Sequence, residues 1–173
     1  MKKTGFILLA AMFAQAASAH ITLDQAKAPA GSYQKLTFKV GHGCDGSATH
    51  TLKVILPETV SGAKPMPKAG WKIDTLIENL STPYTSHGKT ISRDVREVSW
   101  TGGPLPDAYY DEFSIQVKLP DTAGKLAFKV LQLCEKGRLD WVEVPAEGQS
   151  GKSLKTPAPV LELVNQPEAE HHH

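Results

Sequence analysis

Residues 125–144 read KLAFKVLQLCEKGRLDWVEV, and this stretch sets the fold class. Residues 125–133 and 139–144 each follow the period-two alternation of a half-buried strand, and Glu-Lys-Gly-Arg at 135–138 has turn composition. The two strands are expected to form a hairpin with 135–138 in or beside its turn. In the second strand Asp140, Val142 and Val144 share one face, and Trp141 and Glu143 the other.

The same alternation recurs on the N-terminal side. At 33–40, Tyr33, Lys35, Thr37 and Lys39 oppose Leu36, Phe38 and Val40, and 51–56, 71–77, 97–100 and 112–119 repeat the pattern. Between them stand turn-forming runs: PAG at 29–31, GHGCDG at 41–46, TGGP at 101–104 and PDTAG at 120–124. No stretch carries a helical period of useful length. Seven or more short strands at about ten-residue spacing predict an all-β chain, an immunoglobulin-like β-sandwich forming a single domain over 20–145. From 146 onward Gly, Ser, Lys, Pro and Gln dominate, with one apolar patch at 160–164. Residues 146–173 are therefore expected to be an extended, partly disordered tail, docked in part and frayed at its polar end.

The first 19 residues differ from everything after them. Lys2 and Lys3 precede an apolar run at 5–14, and Ala17-Ser18-Ala19 is a small-residue cleavage box. These are the three parts of a secretory signal peptide spanning 1–19. A membrane anchor is the alternative, but the run is short for a bilayer. Cleavage after Ala19 would place the product in the periplasm or outside the cell. The 173-residue chain has 19 Lys and Arg against 18 Asp and Glu, and two of those lysines would leave with the signal. A near-neutral chain with no basic stretch argues against a nucleic-acid partner.

Two cysteines, Cys44 and Cys134, in an exported chain point to a disulfide. It would close a loop of about 90 residues, which the chain-entropy estimate values at roughly 4 kcal/mol as an upper figure. A reduced thiol pair for Cu(I) or Zn(II) is the alternative, and an oxidising compartment works against it.

Cleavage would make His20 the first residue. An N-terminal histidine offers two nitrogens from one residue, the α-amine and ring Nδ1, and Cu(II) favours such nitrogen donors. The amine must lose its proton, which costs little near neutral pH given an ordinary pKa close to 8. Trp141 is either a core-edge residue or the wall of a site, where its ring would offer cation–π contact and exclude water. His42 and His50 flank Cys44 in GHGCDGSATH, so a disulfide to Cys134 would bring this loop toward the hairpin. His42, Asp45 and His50 are thus possible further ligands, or ordinary loop residues. His87 reads as solvent-facing, and His171, His172 and His173 could hold metal weakly. There is no GxSxG, HExxH, P-loop or CxxC, and no obvious carboxylate pair, so nothing marks an enzyme.

Taken in order, several stretches resemble the YcnI-like family of exported bacterial copper-binding domains. They are HITL at 20–23, AGSYQKLT at 30–37, GHGCDGS at 41–47, VILP at 54–57, PKAGW at 67–71, VSWTGGPLP at 98–106, DEF at 111–113, LPDTAG at 119–124, and Cys134 followed by WVEVP at 141–145. The resemblance implies an immunoglobulin-type β-sandwich with a solvent-exposed Cu(II) site. In it, a single histidine makes the brace: His20 would bind through amine and imidazole, and Trp141 would lie at the metal. Some members add a glutamate early in the strand after the first long turn. This chain has HTLKV at 50–54 there, so His50 or water would substitute. The implied role is copper homeostasis or delivery, with periplasmic copper chaperones or membrane copper transporters as partners. Two other readings stand beside it: a copper-dependent oxidase with a second histidine completing a brace, and a metal-independent interaction module.

Overall fold

The structure, a computed structural model, describes residues 20–146 and 153–165. The signal peptide expected over 1–19 and the histidines at 171–173 lie outside the described residues. The described residues form twelve strands: β1 (Thr22–Leu23), β2 (Lys27–Pro29), β3 (Tyr33–Val40), β4 (Thr49–Ile55), β5 (Ser61–Pro65), β6 (Trp71–Ser86), β7 (Lys89–Leu105), β8 (Asp111–Lys118), β9 (Gly124–Ala127), β10 (Lys129–Cys134), β11 (Arg138–Trp141) and β12 (Val160–Val164). One sheet runs β1-β3-β8-β5, a second β11-β10-β4-β7-β6, and a third, smaller one β2-β12-β9.

The two larger sheets share one apolar core. Leu36, Phe38 and Val40 of β3 and Phe113, Ile115 and Val117 of β8 belong to the same buried cluster as Leu52 and Val54 of β4, Val98 and Trp100 of β7 and Val130 of β10. Edge-to-face aromatic pairs cross it: Trp100 lies 5.4 Å from Phe113 between ring centroids, and Phe38 lies 5.8 Å from Phe128. This is sheet-on-sheet packing of alternating inward side chains, a β-sandwich.

Three elements differ from the sequence expectation, each for a physical reason. The strand expected over 125–133 is split at Phe128. β9 pairs with β12, while β10 pairs with β11 and β4. Phe128 is fully buried at the break, and its N–H donates to the Pro159 carbonyl at 2.9 Å. The chain thus changes sheets without leaving the core. The strands expected over 71–77 and 97–100 are parts of a much longer hairpin. β6 and β7 continue outward to a turn at His87 and Gly88, both with positive φ (48° and 74°). This outer ribbon is largely exposed on both faces, so apolar alternation could not reveal it.

The third difference corrects the domain boundary at 145. Val160–Val164 is a strand, parallel to β2 and antiparallel to β9, and Leu161 and Leu163 are buried in the core. The packed fold therefore runs through β12. The segment leading to it is held by Glu143, whose carboxylate accepts from Thr156 N–H at 2.5 Å and Thr156 Oγ1 at 3.2 Å.

Candidate metal centre

The site is assembled around one buried amide. On β10 the residues Val130, Gln132 and Cys134 point inward and are buried, in register with β11 on one side and β4 on the other. Gln132 is fully buried, and every polar atom of its side chain is engaged. Its Oε1 accepts from Trp141 Nε1 at 3.0 Å. Its Nε2 donates to the His42 carbonyl at 2.6 Å and to Thr49 Oγ1 at 2.8 Å. A buried amide with complete partners rigidifies its surroundings, because releasing any of them leaves an unpaired polar group in the core. Gln132 thereby couples the strand that carries Trp141 to the loop that carries His42.

That loop is tied down at several points. Cys44 and Cys134 form a disulfide, with Cα atoms 5.9 Å apart, as the pairing of the two cysteines predicted. Gly43 N–H donates to Asp107 Oδ1 at 2.8 Å, and Cys44 and Ser47 exchange backbone hydrogen bonds. Gly43 admits no larger residue, since a Cβ there would stand 1.9 Å from the Ser47 carbonyl oxygen. Asp45, at the tip with φ 48°, is exposed and shapes the turn.

His20 reaches the same place from another direction. It precedes β1, and the next residue, Ile21, is buried in the core, which fixes where the histidine emerges. The His20 ring packs edge-on against the Trp141 indole, 5.7 Å between centroids at 66°. The His42 ring does likewise, at 6.0 Å and 70°. Both histidines are half-buried, whereas Trp141 is 3% exposed.

The polar atom of Trp141 is thus engaged inside the core. Its indole N–H is committed to Gln132, and two imidazoles stand in T-shaped contact with its ring. His50, on β4, is held elsewhere, with Nδ1 2.9 Å from Thr51 Oγ1. The structure brings His20, His42 and Trp141 together and leaves His50 outside that set. His87 sits exposed at the tip of the β6–β7 hairpin. Glu143, on the Trp141 face in the sequence reading, is occupied with Thr156. The Thr156 backbone N–H holds its carboxyl below the usual glutamate range against the opposing effect of burial. Sequence reasoning missed Gln132, although a signal was present: it stands at an inward position between Val130 and Cys134, where a polar side chain must find partners.

A groove of about 870 Å³ opens beside His20, walled by Leu23, Ala26, Val144, Pro157 and Val160. A second hollow, about 630 Å³, lies away from it against the β6–β7 hairpin. Among the described residues, no three His, Cys, Asp or Glu side chains cluster as a metal set.

Residues 20–163 match the family described as "Domain of unknown function (DUF1775)", which is the YcnI-like family. The chain belongs to this family. The DUF1775 match starts at His20 and ends inside β12, in agreement with the extent of the packed fold. Over 134 residues this DUF1775 domain is 28% identical to the copper-binding protein CutI of Bacillus subtilis (strain 168), a match that takes in 75% of this chain and 58% of CutI. The chain thus spans less than two thirds of that relative's length. In structure it is similar to an uncharacterized protein from Nocardia farcinica with an immunoglobulin-like fold. There the TM-score is 0.65 and the identity 25%, covering 84% of this chain and 99% of that one. The immunoglobulin-like sandwich expected from the strand pattern is the fold of this DUF1775 domain.

Proposed function

We propose that this domain is an exported, non-enzymatic copper-binding protein. Removal of residues 1–19 makes His20 the N-terminal residue, which then takes Cu(II) through its α-amine and imidazole for copper homeostasis or delivery outside the cytoplasm. The observation that carries the reading is the His20 ring packed against the buried Trp141 indole. A histidine at the expected cleavage site is held by its neighbour Ile21 at an aromatic wall that a second imidazole, that of His42, also borders. That donor chemistry suits Cu(II), which leads the divalent affinity order and favours imidazole and amine nitrogen. The similarity to a relative named for copper binding supports the same choice of metal.

Bound copper would bring a chelated cation to the Trp141 face. The protein's own contribution is to hold the imidazole in place, exclude water on the indole side through Gln132 and the core, and leave the opposite side open for exchange. Periplasmic copper chaperones or membrane copper transporters are the partners this role calls for.

The test is a Cu(II) titration of the chain beginning at His20, followed by tryptophan fluorescence, against a form with one glycine before His20. Stoichiometric quenching in the first and its loss in the second are expected, because the extension turns the amine into an amide. The chain has three tryptophans, so Trp141→Phe assigns the quenching. Equal copper binding by the two forms would refute the N-terminal site, and absence of binding in both would move the function to a metal-independent interaction module.

A further inference from the structure

We infer that His42 supplies a second imidazole, through Nε2, to the copper held by His20, so that the site is a two-histidine site with the α-amine as its third nitrogen. This rests on the function proposed above and names a ligand that reading does not include.

Four observations carry it. His20 and His42 pack edge-on against the same indole, at 5.7 and 6.0 Å. The two imidazoles thus border one indole, the wall against which His20 would present a chelated metal. Second, His42 is placed by the same amide that places Trp141, since Gln132 takes the Trp141 N–H and gives a hydrogen bond to the His42 carbonyl. Third, the adjoining loop is fixed by the Cys44–Cys134 disulfide and by Gly43 N–H on Asp107, so little entropy is lost in holding the ring at the wall. Fourth, the His42 ring is oriented for coordination. Its Nδ1 faces the Gly43 carbonyl, an acceptor only, so Nδ1 carries the proton and Nε2 the lone pair. An Nδ1–H bonded to a backbone carbonyl is the usual outer-shell arrangement of a metal-binding histidine, because it sets the tautomer and raises the basicity of the other nitrogen.

His50 shows the contrast. Its Nδ1 meets the Thr51 hydroxyl, which can donate or accept and so sets no tautomer, and its ring is not one of those packed on Trp141.

The experiment is Cu(II) EPR and competitive titration on the chain beginning at His20, with His42→Ala, His42→Gln and His50→Ala. Thermal unfolding shows that each variant is folded. The wild type is expected to show three coupled nitrogens. His42→Ala and His42→Gln should each lose one of them and bind at least about tenfold more weakly. Free imidazole should restore the third nitrogen to His42→Ala, and His50→Ala should match the wild type. An unchanged nitrogen count and affinity in both His42 variants would overturn the assignment. A glycine placed before His20 separates the two claims. If it leaves binding intact, the N-terminal reading fails. A loss in the His42 variants would then mark a different site from the one inferred.

Discussion

Replacing Gln132 by leucine tests whether one amide holds the metal centre together. The volume is nearly conserved, so packing loss is small and the effect reports on hydrogen bonds. Three partners are stranded. Trp141 Nε1 is buried, with its residue 3% exposed, and loses its acceptor outright, which costs about 1–3 kcal/mol. The Thr49 oxygen loses a donor but its hydroxyl keeps its own bond to Cys134 Sγ, 3.7 Å away, so the cost there is small. The His42 carbonyl belongs to a half-buried residue and recovers part of its loss from water. The sum is about 3 kcal/mol, weighted to Trp141. For a domain of this size that lowers Tm by about 10 °C. Urea unfolding followed by near-ultraviolet circular dichroism gives both numbers, and the Trp141 signal should broaden before global unfolding. A loss below about 0.5 kcal/mol, the range of an ordinary surface change, would show that the amide does not organise the site.

Trp141→Phe keeps the wall but strands Gln132 Oε1. A loss of about 1–2 kcal/mol is expected in denaturant titration, with a change in the copper EPR and optical spectrum larger than the change in affinity. Cys44→Ser with Cys134→Ser removes a link across 90 positions and should cost up to roughly 4 kcal/mol in thermal or urea unfolding, together with loss of order at His42 in amide exchange. Glu143 titrates below the ordinary glutamate range when folded, because Thr156 N–H stabilises its charged form. Its contribution is therefore present above the unfolded carboxylate pKa and fades as pH falls through the lower folded one. Amide exchange at Thr156 should quicken across that acidic window in the wild type, and Glu143→Gln should remove the pH dependence.

How far the sequence revealed this protein depended on how its residues are used. Strands with one buried face, such as Tyr33–Val40 and Asp111–Lys118, announce themselves by alternation because water and core select different side chains at successive positions. The outer half of the β6–β7 ribbon has no core face, so nothing imposed an alternation to read. Val160–Val164 was visible as an apolar patch, but its partners β2 and β9 lie far away in sequence, and a five-residue strand carries too little pattern to declare its pairing. The site shows the same division. The cleavage box singled out His20, which the structure places against Trp141, and counting paired Cys44 with Cys134. Choosing His42 over His50 was not legible, because both flank Cys44 and neither spacing tells which ring reaches Trp141. The packing of His42 on Trp141, the bulged register of β4 near Thr49 and the Gly43 carbonyl at His42 Nδ1 separate them.

A site with an N-terminal amine and two imidazoles also has the donors of an oxygen-activating copper oxidase, so ligand count alone does not decide between carrier and catalyst. What differs is what surrounds the metal. Turnover needs electrons delivered to copper and a substrate held against its open side. Delivery needs only that a partner's ligands reach that side. Here His20 opens onto a groove whose walls are largely apolar, with Leu23, Ala26, Val144, Pro157 and Val160, and which also carries Gln25 and Lys125. A carrier should therefore hold Cu(II) without consuming oxygen when a mild reductant such as ascorbate is added, beyond one reduction per copper, and should surrender the metal to a competing thiol or imidazole ligand. Sustained peroxide formation by the copper-loaded wild type, abolished by His42→Ala, would favour the oxidase instead and overturn the non-enzymatic reading while leaving the two-histidine ligand set intact.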